Sequence, residues 1–441
     1  MLSVLAHRAY RHLFAAQVIA LVGTGLLTVA LGLLAFRIAG DRAGSVLGTA
    51  LAIKMVAYVL VAPVAQAFTA RLPRRAFLVA TDLVRAVIAL TLPFVDQVWQ
   101  VYVLIFVLQS ASAAFTPTFQ ATIPDILPDE RDYTRALSLS RLAYDLENLL
   151  SPTLAALLLT VVPYNALFGG TVVGFLCSAA LVVSVTLPTA TRSDRQGGVY
   201  DRTMRGLRIY LATPRLRGLL ALNLAVAAAG AMVIVNTVVI VQGLMERPQA
   251  DVALALGVFG GGSMIAALTL PRLLDRLSDR AIMIPAAALL GAVLLGVAAM
   301  TWGGTIGWPL LLATWLVLGI AYSAVQTPTG RLLRRSATQD DRPAVFAAQF
   351  ALSHAAWLVT YPLAGWLGAY AGMPATLAVL GALTLAGVAA AAWTWPAADP
   401  DVIEHAHADL AQGHPHLHQG KRHAHAFVID DLHRQWPARA G

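Results

Sequence analysis

From Leu13 to Phe36 the chain carries no charged side chain, and runs of the same kind recur at Val98–Phe115 and Leu377–Trp395. A helix crossing the hydrocarbon core of a bilayer needs about 20 apolar residues. In oil the backbone must satisfy its own hydrogen bonds, which leaves helices or closed barrels. Barrel strands alternate in polarity over about ten residues, whereas these runs are longer and continuous, so the expectation is an all-α membrane protein. Composition agrees: 12% of the 441 residues are charged, against about 25% in soluble domains. The single cysteine, Cys177, lies in an apolar run and reads as a core thiol. The first run has no persuasive signal-peptidase site after it and is expected to be a retained helix.

Twelve spans are expected, near 11–38, 44–69, 76–95, 98–117, 135–161, 165–188, 217–243, 252–271, 281–301, 308–328, 344–370 and 375–395. Arginines alternate between the gaps. The N-terminus and the even-numbered gaps hold them, among them Arg8, Arg131, Arg205, Arg272 and Arg334, while the odd gaps are short and nearly bare except for Arg42 and Arg247. Positive loops face the cytoplasm, which predicts a plasma-membrane (inner-membrane) protein with both termini cytoplasmic. The net charge of +8 then faces anionic head groups. It is scattered over many short loops, so nucleic-acid binding is excluded as a reading; the expected partners are the bilayer, a small ion or molecule, and protons, with the chain a monomer.

The chain also repeats itself. ARLPRR at 70–75 parallels DRLSDR at 275–280, FTPT at 115–118 parallels QTPT at 326–329, PDER at 128–131 parallels QDDR at 339–342, and Ser151-Pro152 parallels Tyr361-Pro362. Four matches in order at nearly one offset argue for two homologous halves, divided as 1–188, a linker 189–216, 217–396, and a tail 397–441. The chain to about residue 396 resembles the major facilitator superfamily. That resemblance implies two pseudo-symmetric six-helix bundles rocking about a site near the midplane. It also implies a cytoplasmic gate close to G-x-x-x-D-R-x-G-R-R between the second and third helices. Here the stretch is QAFTARLPRR: Arg71, Arg74 and Arg75 match, and Gln66, Ala70 and Pro73 depart from the pattern. Asp275 in the second half, with Arg276 and Arg280, stands at the equivalent place.

Ionised groups within a span are costly and are functional candidates by default. The first half has six: Lys54 in the second span, Asp82 and Arg85 in the third, and Arg141, Asp145 and Glu147 in the fifth. Asp82 and Arg85 are i,i+3, and Arg141 and Asp145 are i,i+4 on a face shared with Tyr144 and Asn148. Both pairs read equally well as packing ion pairs. Glu147 lies on a neighbouring stripe near Ser151 with no local cation, and an unpartnered carboxylate in oil suits a proton carrier. The second half offers His354 at mid-depth, either a hydrogen-bonded interior residue or a cation ligand or proton acceptor facing the fifth helix.

The tail gathers His405, His407, His414, His416, His418, His423, His425 and His433. On an extended chain, imidazoles at i and i+2 share a side, and imidazole suits zinc, copper, nickel and cobalt. The competing readings are a solubilising tail and a cloning tag. The closing FVIDDLHRQWP is amphipathic enough to dock. No cofactor is expected beyond nickel, cobalt or zinc ions on this tail. A histidine-rich tail on this architecture resembles the nickel-resistance exporters of the superfamily, which implies proton-coupled efflux of a divalent metal with the tail collecting ions. Efflux of an amphipathic organic compound, with the tail as buffer or sensor, and a non-transporting metal receptor are the alternatives. No G-x-x-x-x-G-K-[ST] loop is present, and no enzymatic activity is expected.

Overall fold

The computed structural model describes residues 2–39, 43–69, 72–188, 199–304, 306–406 and 422–437. They form an almost wholly helical protein. The first half contains α1 (Arg8–Ala39), α2 (Ala43–Thr69), α3 (Arg74–Thr91), α4 (Val98–Ile126), α5 (Glu130–Leu159) and α6 (Asn165–Val183). A short helix, α7 (Val199–Ala212), follows in the stretch expected to be linker. The second half contains α8 (Pro214–Val238), α9 (Gln249–Leu274), α10 (Asp279–Trp302), α11 (Trp308–Gln326), α12 (Thr329–Arg335), α13 (Arg342–Tyr370) and α14 (Met373–Thr394).

Among the described residues, eleven spans are long and apolar enough to cross a membrane, with α11 and α12 together making one of them. The remaining long helix, α5, has 30 residues but carries Arg141, Asp145 and Glu147 along its length. It makes the twelfth crossing, and of its charges Arg141 and Asp145 are met by protein rather than lipid.

Caps set several starts. Asp129 opens α5 by accepting from the Asp132 N–H at 2.9 Å, Gln97 and Gln100 make a capping box on α4, and Ser278 caps α10. The repeated acidic–basic motifs therefore stand at equivalent places, opening α5 and α13. Repeated FTPT and QTPT differ: Pro117 and Pro124 lie inside α4, which runs on to Ile126, past the expected limit at 117. In the second half the chain breaks between α11 and α12, with Pro328 at the N-cap of α12. Interior prolines are tolerated where neighbouring helices and side chains resatisfy the backbone.

Within each half the helices approach through small residues, as they must where lipid gives no hydrophobic drive. Gly174 of α6 lies against the α1 backbone, where an added Cβ would sit 3.2 Å from Gly23 Cα. Beside it the Thr171 hydroxyl donates to Gly23 O at 2.8 Å. The second half repeats the device: Thr384 of α14 donates to Ala225 O of α8 at 3.3 Å, and Gly387 lies against the Ala221 carbonyl. The halves meet where α13 packs on α2 and α4 and where α5 packs on α9, and α7 lies against both α2 and α13.

The tail is ordered where described. Strands β1 (Val402–Ala406) and β2 (Arg422–Ala426) pair antiparallel, His405 opposite His423. Beyond them Phe427 and Ile429 bury themselves in the core of the second half, so the expected docking of FVIDDLHRQWP is observed.

Candidate functional site

Three sets of polar side chains stand out. The first joins the halves at the end that bears Arg8 and Trp395. Buried Asp125, at the end of α4, accepts from Arg74 of its own half and from Arg342 of α13 at 2.8 Å. Arg331 of α12 reaches Glu130 at 2.6 Å and the Thr134 hydroxyl at 2.9 Å, both on α5, while its Nε lies 3.1 Å from buried Asp279. Arg334 donates to the Pro128 carbonyl. Gly330 lets α12 close on α5, since a Cβ there would fall 2.6 Å from the Tyr133 hydroxyl. The expected gate residues are spread more loosely. Arg75 donates to Val183 O and Arg280 to Trp395 O, each inside its own half. Among the described residues Asp275 makes only a solvent-exposed 3.7 Å pair with Arg131, Arg276 is exposed, and Arg71 lies outside the described residues. Asp125, Asp279 and Arg331, which sequence reasoning did not single out, carry the closure.

The second set is interior. Asp82 is fully buried, paired with Arg85, and accepts from Ser178 of α6 at 2.8 Å. The Arg85 guanidinium lies between the rings of Phe115 and Phe175, at 4.2 and 4.5 Å. Asp145 pairs with Arg141 at 2.7 Å and accepts from Ser263 of α9 at 2.6 Å. Arg141 Nε donates to the same Ser263 hydroxyl and lies over the Tyr322 ring. Both acids are thus fully partnered, the second by residues from both halves.

Glu147 is different. It is half-buried beside α1, where a Cβ on Gly25 would overlap Ser151 and come within 3.2 Å of Glu147 Oε1. It forms no ion pair among the described residues, and Lys54 of α2 is the charge that acts on it. Lys54 sits 5.5 Å from the centre of the Tyr58 ring. The Tyr58 hydroxyl donates to Gln109 at 2.9 Å, and its ring meets His354 edge-on at 4.7 Å. His354 Nδ1 lies 2.7 Å from Phe350 O, so it donates there and its Nε2 is left as the acceptor. His354 therefore packs on α2 through Tyr58, and Lys54 acts on it as well. Tyr144 engages Gln17 of α1; the Asn148 side chain lies outside the described residues. The aromatic pairs Trp357–Tyr361 and Phe259–Tyr322 come from the second half.

The third set is the tail. His405, His423 and His425 offer ring nitrogens that all lie within 4.8 Å of one another, and His433 Nε2 lies 3.1 Å from His405 Nε2. Burial, ahead of the neighbouring His425 and His423 rings, holds His405 below the ordinary histidine range. His407, His414, His416 and His418 lie outside the described residues.

Two related halves, closed at one end by paired arginines and lined inside by partnered charges, are a transporter's architecture rather than an enzyme's. The Major Facilitator Superfamily profile matches residues 13–308 and 248–414, and the chain belongs to that superfamily. It is 26% identical over 220 residues to Macrolide efflux protein A of Streptococcus pyogenes, covering 48% of this chain and 53% of that protein. The chain thus spans about half the length of these curated relatives. It is 23% identical over 335 residues to the uncharacterized MFS-type transporter YfiS of Bacillus subtilis (strain 168), covering 74% and 79%. The human organic anion transporter MFSD10 (TETRAN) superposes with a TM-score of 0.75 at 15% identity, covering 87% of this chain and 99% of that one. A bacterial homologue of the iron transporter ferroportin in an outward-facing state gives 0.71 at 14%, covering 88% and 98%. At such identities these structures show the shared fold alone.

Proposed function

We propose that the protein is a secondary active exporter in the plasma membrane that moves an amphipathic organic compound outward in exchange for protons, with Glu147 as the proton carrier. The arginine-rich loops support a cytoplasmic position for the end bearing both termini, and on that reading closure there by Asp125, Arg331 and Arg342 is an outward-facing state. The observation that carries the reading is the contrast among the interior acids. Asp82 and Asp145 each have a guanidinium and a hydroxyl, whereas Glu147 has neither as a direct ion-pair or hydrogen-bond partner among the described residues. A carboxylate in that setting exchanges protons with whatever cavity water or cargo reaches it. The aromatic cluster beside Lys54, formed by Tyr58, Phe350 and His354, favours a ring-bearing or amphipathic cargo over a bare ion. Similarity to macrolide efflux proteins supports the same cargo class.

In inverted membrane vesicles energised by a pH gradient, uptake of a macrolide or of ethidium should be driven by the wild-type protein and abolished by Glu147→Gln at equal expression. Normal pH-driven flux in that variant removes Glu147 as the carrier. A second reading, proton-coupled efflux of nickel or cobalt, is favoured by the clustered tail imidazoles, which would raise local ion concentration on the side that bears the tail. Counterflow of radioactive nickel in proteoliposomes tests it: exchange of nickel without any effect on macrolide or ethidium flux selects the metal.

A further inference from the structure

The tail histidines form a built arrangement whose hydrogen bonds have an unusual consequence. His405 Nδ1 lies 3.0 Å from the Ile403 carbonyl, His425 Nδ1 lies 2.8 Å from the Ala426 carbonyl, and His433 Nδ1 lies 2.9 Å from the Asp430 carboxylate. Carbonyls and carboxylates only accept, so each Nδ1 carries the proton and each neutral ring presents an Nε2 lone pair. Yet His405 Nε2 and His433 Nε2 face each other at 3.1 Å. Two lone pairs hold that separation only with a proton or a metal ion between them, and the two further rings gathered at the same point favour the metal. Around a tetrahedral zinc with bonds of about 2.0–2.1 Å, ligand nitrogens lie roughly 3.3 Å apart.

The scaffold places the other rings to match. His405 and His423 are directly opposed across the hairpin, and His423 and His425, two residues apart, share its face. His433 returns to that face because Phe427 and Ile429 anchor the chain in the core. Asp430 fixes the approach: one carboxylate oxygen accepts from the Leu432 and His433 N–H groups at 2.8 and 2.7 Å as well as from His433 Nδ1. Backbone carbonyls and a carboxylate behind the imidazoles are the outer shell that metal-binding histidines use.

We propose that His405, His423, His425 and His433 form a four-imidazole site for one divalent transition ion of the zinc, cobalt or nickel class, lying on the docked tail and apart from the transport path. The assignment concerns these four rings and does not depend on the identity of the cargo.

The test uses the full chain purified in detergent. Zinc titrated against a competing chelator should bind with one tight equivalent per chain, and cobalt should give the strong visible bands of tetrahedral coordination. His405→Ala with His433→Ala should lose the tight equivalent and the cobalt bands while the protein still elutes as a single species. Asp430→Asn, which keeps all four rings, should weaken zinc by about 10–100-fold. Replacing His407, His414, His416 and His418 together by Ala should leave both readouts intact. Tight binding that survives the first double variant, or that disappears with the last four replacements, overturns the assignment; so does a weak, six-coordinate cobalt spectrum in the wild type.

Discussion

Asp82 and Glu147 are both acids within the first six helices, and their neighbours assign them different work. Asp82 answers Arg85 and Ser178 in a site closed by two phenylalanines. Removing one member of a buried pair strands the other charge and costs about 3–5 kcal/mol, whereas an apolar pair of like volume is often neutral. Arg85→Met alone should therefore lower the thermal midpoint in detergent sharply, and Asp82→Leu with Arg85→Met should recover most of the loss and keep pH-driven flux. Loss of flux in a stable double variant would instead move this pair into the transport cycle. Both interior pairs were legible in the sequence because i,i+3 and i,i+4 spacing on a helix brings ions together without any knowledge of the fold. Their hydroxyl partners Ser178 and Ser263, 96 and 118 residues away, were not. Nor were Asp125 and Asp279, whose positions at helix ends made them look like ordinary loop acids.

At the scale of elements, the closed end rests on α12 and the start of α13 reaching across to α4 and α5. Arg331→Ala with Arg342→Ala removes the cross-half links to Glu130, Thr134 and Asp125 together. Distances between spin labels on the α4–α5 turn and on α12 should then broaden toward longer values, and an unchanged distribution would show that packing around Gly330 holds the end shut by itself. The number and order of long helices followed from apolar runs, and the repeated motifs marked equivalent helix starts. A second repeat escaped notice: Thr171-x-x-Gly174 and Thr384-x-x-Gly387 are 213 positions apart and make the same close helix contact in each half. Two residues of such common types carry little signal until the backbones are seen to touch. The break between α11 and α12 was also hidden, because QTPT shares its Thr-Pro-Thr with the uninterrupted FTPT and only the first residue and the surroundings differ.

Across the whole molecule the tail belongs to the second half. Arg335 holds Asp399 at 2.9 Å and Asp401 at 3.0 Å, and Arg215, almost wholly buried, reaches Asp401 at 3.3 Å with Trp436 over its guanidinium at 5.2 Å. Arg205 ties Asp341, at the start of α13, to Asp431 of the tail. Truncation after Ala398 removes all of these acids but Asp341 and should depress the thermal midpoint more than truncation after Asp401, which leaves Arg215 and Arg335 partnered. Equal loss in both would assign the tail's contribution to Phe427, Ile429 and Trp436 instead. Sequence composition announced histidines and an amphipathic end; it could not announce which four rings meet, since that depends on a strand register and on a turn at Asp430.

The one long helix too charged to count as a span by apolarity, α5, has a consequence for how the protein is made. Its Arg141–Asp145 pair is completed by Ser263, which leaves the ribosome 118 residues after Asp145. During that interval the newly made first half holds an ion pair short of a hydroxyl in a helix where charge is costly. The Arg141–Asp145 site is thus finished only when the ninth helix arrives, so the final packing of the first half depends on synthesis of the second.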